Sequence, residues 1–171
     1  MPRFDITTAL SASPQRAFEA CLDVEAHTPS MAASSEQAVG GTTHGHLTFG
    51  DTATFQARRF GLTWRLTARI TAYEPPGYFM DEQERGPFKR WKHGHRLEPD
   101  GAGGTVMRDV IDFASPLGVL GHIADATVLA WYMPRLIRSR NAYLASALRR
   151  PGLAAPQQLG SRHRRSVPTV P

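Results

Sequence analysis

The chain has almost no cysteine. Cys21 is the only one among 171 residues, so no intramolecular disulfide framework is possible, and the single thiol fits a reducing compartment. Long apolar runs are also missing. No window approaches the roughly 18 uncharged apolar residues of a membrane span, and "MPRFDITTALSASPQ" has no apolar stretch behind its basic residue of the kind a secretory leader needs. A cytoplasmic protein without a membrane span is the expectation. Neither a Gly-rich phosphate loop nor a nucleophile elbow occurs. Acid is absent from one end: after Pro151 the chain carries Arg162, Arg164 and Arg165 and no Asp or Glu. The formal charge of +5 less these three arginines is +2, a nearly balanced body that argues for no specific nucleic-acid partner.

What remains is enough for one domain. With 41% hydrophobic residues, positions 1–150 can bury a core without staples. Residues 151–171 hold Pro, Gly, Gln, Ser and Arg with little apolar content and read as a disordered basic tail. Within the domain, "RFDITTAL" at 3–10 predicts a strand. Ser13-Pro14 predicts a helix start, followed by Ala17, Phe18, Cys21 and Leu22 at helical spacing and by Pro29, which must end or bend the segment. The Gly-rich stretch "ASSEQAVGGTTHGH" reads as a loop or weak strand. From Leu47 the period is two. "DTATFQARRFG", "LTWRLTARITAY", "YFMDEQER", "KRWKHGHRLE" and "TVMRDVIDFA" are strands joined by short turns, an antiparallel meander. From Leu120 to about Leu148 the period becomes helical, with Leu129, Met133, Leu136, Ile137, Leu144 and Leu148 on one broad face. Pro134 inside this run predicts a kink or a split.

The class is therefore α+β, a curved antiparallel sheet whose apolar face is covered by a long C-terminal helix. A helix laid across a strongly curved sheet does not fill the concavity, so the expectation is a pocket between them.

Several stretches carry a family resemblance: Gly50-Asp51, "WRLTARIT" from Trp64, "FMDEQ" from Phe79, "GPFKRWKHGH" from Gly86, "MRD" from Met107, "PLGVLG" from Pro116 and Arg140-Asn141. Over residues 1 to about 148 the chain resembles the START-like superfamily, also called SRPBCC, and within it bacterial members known as ligand-binding or polyketide cyclase/dehydrase-like proteins. The resemblance implies the helix-grip fold, with two short helices after the first strand. It also implies binding, transport or catalysis, which this superfamily carries on one scaffold.

The polar residues in the strands point to a site. Trp91, His93, His95 and Leu97 share one side of their strand, the side that apolar residues would normally occupy. Phe79 shares its phase with Asp81 and Gln83, and Met107, Ile111 and Phe113 share theirs with Asp109. A turn centred on Pro87 sets Asp81 opposite His93 and Phe79 opposite His95. A turn centred on Gly101 sets His93 opposite Asp109, His95 opposite Met107 and Trp91 opposite Ile111. His93 would then lie between two carboxylates, which favour its charged form and raise its pKa while burial opposes them.

Three functions fit such a band. The first is binding of a small apolar or amphipathic molecule, with Trp64, Trp91, Met107 and Trp131 as wall and Asp81, Gln83, His93, His95 and Asp109 orienting a polar end. The second is cyclase/dehydratase-like acid/base chemistry by His93 with Asp81 and Asp109. The third is a structural or interaction module with a filled core. The pairs His44–His46 and His93–His95 resemble His-x-His metal ligands, but no metal and no other cofactor is expected. Cys21 reads as a small core residue. The sequence sets no oligomeric state.

Overall fold

A computed structural model describes residues 3–25, 36–59, 61–116, 118 and 125–149. The expected tail at 151–171, the helix start at 120–124 and the break at Pro29 lie outside these residues. The segments read as strands, with part of the Gly-rich stretch, form seven strands: β1 (Arg3–Leu10), β2 (Gln37–Gly41), β3 (Thr52–Arg59), β4 (Leu62–Glu74), β5 (Tyr78–Arg85), β6 (Arg90–Pro99) and β7 (Thr105–Ala114). They form one antiparallel sheet in the order β1-β7-β6-β5-β4-β3-β2. Among the described residues two helices are added, α1 (Pro14–Leu22) and the C-terminal α2 (Ala130–Leu148), the latter entered through a turn of π-helix at Asp125–Leu129. Among the described residues no helix is long and apolar enough to cross a membrane.

Of the two short helices expected after β1, the described residues contain one. α1 starts where Pro14 sets the first helical position; Ser13 precedes it in extended conformation and makes no side-chain cap bond. α1 ends because Asp23 turns extended. Val24 N then donates to Gly45 O and Leu47 N to Leu22 O, which ties the end of α1 to the segment leading to β3; residues 26–35, where a second helix would follow, lie outside the described residues.

The β5–β6 register is the expected one, with Asp81 opposite His93 and Phe79 opposite His95. The β6–β7 register is not. His95 faces Asp109, His93 faces Ile111, Trp91 faces Phe113 and Leu97 faces Met107. The loop is the cause. It centres on Ala102 instead of Gly101, because Asp100 Oδ1 accepts from both Ala102 N (2.7 Å) and Gly104 N (2.8 Å). Gly101 and Gly103 supply the two positive φ angles, 80° and 94°, that side-chain-bearing residues disfavour. Moving the centre by one residue moves the register by two, so every inward residue stays inward.

β4 is the longest strand, and its ladder with β5 carries bulges at Thr67/Ala68 and Ile70/Ala72, which add twist and bend. Its first half is not covered: Leu62 and Trp64 are exposed. α2 runs through Pro134 as one element. Pro134 is the fifth residue of α2, so it removes one helical bond, the one the carbonyl of the first residue would accept, where the π-turn passes into α2. α2 packs along β1.

The core falls into two apolar clusters. One gathers Leu10, Phe18, Cys21, Ile70, Phe79, Leu97, Met107, Leu144 and Leu148 under α1. The other gathers Ile6, Trp91, Ile111, Phe113, Met133 and Ile137. Along β6, β7 and α2, polar residues separate them.

Candidate functional site

The separating layer is built by period. On β6, His93 and His95 stand between Trp91 and Leu97; on β7, Asp109 stands between Met107 and Ile111; on α2, Arg140 and Asn141 stand between Ile137 and Leu144. All five polar residues are buried. Asp81 on β5 adds a second carboxylate, one-fifth exposed at its side chain.

The contacts are close. His93 Nε2 is 2.9 Å from Asp109 Oδ1, and its Nδ1 is 3.8 Å from Asp81 Oδ1. His95 Nε2 is 3.3 Å from Asp81 Oδ1. His95 Nδ1 lies 2.8 Å from Asp109 Oδ1 but off the line a hydrogen bond needs, so that contact is ionic in character. Asn141 Nδ2 donates to Asp109 Oδ2 (2.6 Å) and to Thr8 Oγ1 (3.0 Å). Trp91 Nε1 donates to Asp81 Oδ2 (3.3 Å). Arg140 Nη1 stands 3.9 Å from Asp109 Oδ1. The two imidazoles lie 3.8 Å apart between ring centres, and Phe79 stacks on His95 at 4.1 Å.

Burial and charge then set the protonation states. Burial, with His95 beside it, pushes His93 down to about 4 against the pull of Asp109 and Asp81. Burial also acts against His95, but the two carboxylates outweigh it and raise that imidazole above its ordinary value. Burial would lift Asp81; the bond from His95 and the charges of His93, His95 and Arg140 overcome it and hold Asp81 at about 2. Asp109 is likewise held well below the usual carboxylate range by the two histidines. The positive charge expected on His93 therefore sits on His95, which approaches both carboxylates within 3.3 Å, while His93 approaches only one so closely. Asp81 and Asp109 balance His95 and Arg140, and His93 is neutral.

The sequence-derived set divides accordingly. Asp81, Trp91, His93, His95 and Asp109 meet in one network. Gln83 turns to its own loop: its Nε2 donates to Phe88 O (2.7 Å) and its Oε1 accepts from Phe88 N. Met107 is buried in the first apolar cluster, 3.6 Å from the sulfur of Cys21, whose thiol burial pushes up to about 12. Trp64 and Trp131 are 39% and 59% exposed, and Arg135 covers the Trp131 ring at 3.9 Å. Sequence reasoning missed Arg140 and Asn141 as network members. Their signal was the same anomaly that exposed the histidines, polar residues on the apolar stripe, seven and eight positions after Met133.

The comparisons with known proteins agree with this architecture. Residues 1–149 match the family model described as polyketide cyclase / dehydrase and lipid transport. A structure from Thermus thermophilus superimposes with a TM-score of 0.66 at 14% identity, covering 85% of this chain and 99% of that one. A START superfamily protein from Mycobacterium smegmatis gives 0.65 at 14% identity, over 85% and 98% of the two chains. A protein from Arthrobacter aurescens gives 0.63 at 18% identity, over 95% and 93%. At these identities the likeness is one of fold. None of the curated proteins compared with the chain matches it.

Proposed function

The chain belongs to the polyketide cyclase / dehydrase and lipid transport family, and from that premise we propose that it binds a small molecule with an apolar body and a polar end between the sheet and α2. The observation that carries this reading is a pair of buried polar atoms on neighbouring residues. Among the described residues Arg140 Nη1 and Asn141 Oδ1 have no hydrogen-bond partner, although nearly all buried polar groups have one. One is a donor and the other an acceptor. A hydroxyl or carboxyl group satisfies both. The apolar body would lie against Trp91 and the half-buried Phe88, Tyr132 and Leu136 around it, and Asp81, His93 and His95 would border the polar end. Trp64 and Trp131, both exposed, would stand at the rim of that wall, whereas Met107, buried in the other apolar cluster beyond the polar layer, lies outside it.

Catalysis of the cyclase/dehydratase kind asks His93 to take a proton near neutral pH. An imidazole pushed down to about 4 by burial is a weak base for that work, which speaks for binding. A purely structural module leaves the Arg140–Asn141 pair without a purpose. The test is displacement of a fluorescent lipophilic probe by a long-chain alcohol and by its methyl ether. The alcohol should compete at least tenfold better, because the ether cannot donate to Asn141. Equal competition, or a probe that does not bind, overturns the reading.

A further inference from the structure

The two histidines and Asp81 are arranged in a way that salt bridging alone does not require. Asp81 Oδ1 stands 3.8 Å from His93 Nδ1 and 3.3 Å from His95 Nε2, and one ligand atom from each of the three residues lies within 4.8 Å of the others. A divalent ion holding nitrogen and oxygen ligands at about 2.0–2.1 Å in a tetrahedron needs them roughly 3.4 Å apart. The distances to Asp81 fall on either side of that value.

The far side of both rings matters equally. His93 Nε2 and His95 Nδ1 approach the same oxygen, Asp109 Oδ1, at 2.9 and 2.8 Å. Metal-binding histidines almost always direct the ring nitrogen away from the metal at a carboxylate or carbonyl, which fixes their tautomer and orientation. Here one carboxylate bonds His93 Nε2 and stands in close off-line contact with His95 Nδ1, Asn141 anchors that carboxylate by its other oxygen at 2.6 Å, and Trp91 Nε1 holds Asp81 Oδ2 so that Oδ1 faces the histidines. Neutral rings of this tautomer turn both lone pairs toward Asp81.

We propose that Asp81, His93 and His95 form a binding site for a divalent first-row transition-metal ion of the zinc type, with Asp109 as the positioning residue behind both imidazoles. Three protein ligands leave a coordination position open to water or to the polar end of a bound molecule, and the partly exposed side chain of Asp81 is the approach. The ion takes over the compensating positive charge that the proton on His95 otherwise supplies. The site departs from the metal-free expectation of the sequence. It does not depend on the apolar ligand proposed above, although it shares that region.

The full chain, stripped with a chelator and carrying His44→Ala and His46→Ala to remove the exposed pair in the Gly-rich loop, is titrated calorimetrically with Zn²⁺ and spectroscopically with Co²⁺. One equivalent of each is expected, with visible cobalt bands of a low-coordinate site. Asp81→Asn, which keeps an oxygen for Trp91, should weaken zinc at least a hundredfold and abolish the bands. X-ray absorption of the zinc-loaded parent should show two imidazoles on the ion, a readout that does not rely on the variant folding. Absence of saturable binding, binding unchanged by Asp81→Asn in a folded variant, or fewer than two imidazoles overturns the proposal. Probe binding by the stripped chain is measured in parallel. If it persists while zinc fails, the metal site alone is refuted; if zinc binds while the probe does not, the apolar-ligand reading alone falls.

Discussion

Asp109 has no exposed surface and answers to His93, His95, Arg140 and Asn141. Asp109→Leu therefore leaves two buried cations and one carboxylate in an apolar setting. Removing one partner of a buried charge set typically costs about 3–5 kcal/mol, a large share of the roughly 5–15 kcal/mol that holds a domain together. Urea unfolding of the wild type and the variant should show that loss; a difference below about 1 kcal/mol would mean that water already solvates the set. At this scale the sequence was informative about place and uninformative about state. That Asp81, His93, His95 and Asp109 point inward follows from backbone alternation alone. Which imidazole carries the charge turns on whether a carboxylate stands at 3.3 or 3.8 Å, and no spacing rule contains that difference.

The β6–β7 connection shows how one side chain sets the pairing of two strands. Asp100 Oδ1 accepts two backbone N–H groups and closes a five-residue loop around Ala102, and Asp100 N donates to Gly104 O. Asp100→Ala leaves the loop without that acceptor, at about 0.5–1.5 kcal/mol for each net bond lost. A loss of roughly 1–3 kcal/mol in urea unfolding is the expected outcome, with the network residues still buried. No change would show that the glycines alone fix the loop. The strands β1 and β3 to β7 and their phase were legible because turn residues and period two mark them; β2, in a Gly-rich stretch that reads equally as a loop, and the place of β1 beside β7 were not. The register of β6 on β7 was off by two because loop centre depends on a side-chain acceptor, and "PDGAGG" allows more than one centre. The exposed start of β4 was illegible for another reason: "LTWRL" alternates as a covered strand does, but α2 packs along β1, at the other side of the sheet.

In the molecule as a whole, the polar layer divides the core. Phe18 makes its ring contacts with Tyr73 and Phe79, Phe113 with Phe4, Phe88 and Trp91; these sets do not overlap. Phe18→Leu and Phe113→Leu should each destabilise, and the double variant should lose the sum of the two within about 0.5 kcal/mol. A larger coupling in a double-mutant cycle would show that the two clusters act as one core. The helix-grip architecture was legible from element order. The contribution of α2 to the network was not, because Asn141 reaches Asp109 across 32 positions and Thr8 across 133. That separation also bears on how the protein is made. β1 pairs with β7 from Arg3↔Asp112 to Leu10↔Thr105, Thr105 Oγ1 donates to Ala12 O, and Asn141 bonds Thr8. A ribosome adds about 5–20 residues per second, so the first strand emerges on the order of ten seconds before its last partner is synthesised. Through that interval β1 exposes Ile6 and Leu10 along an unpaired edge, the condition under which strands join the wrong neighbour, and this nascent segment is where a chaperone would be needed first.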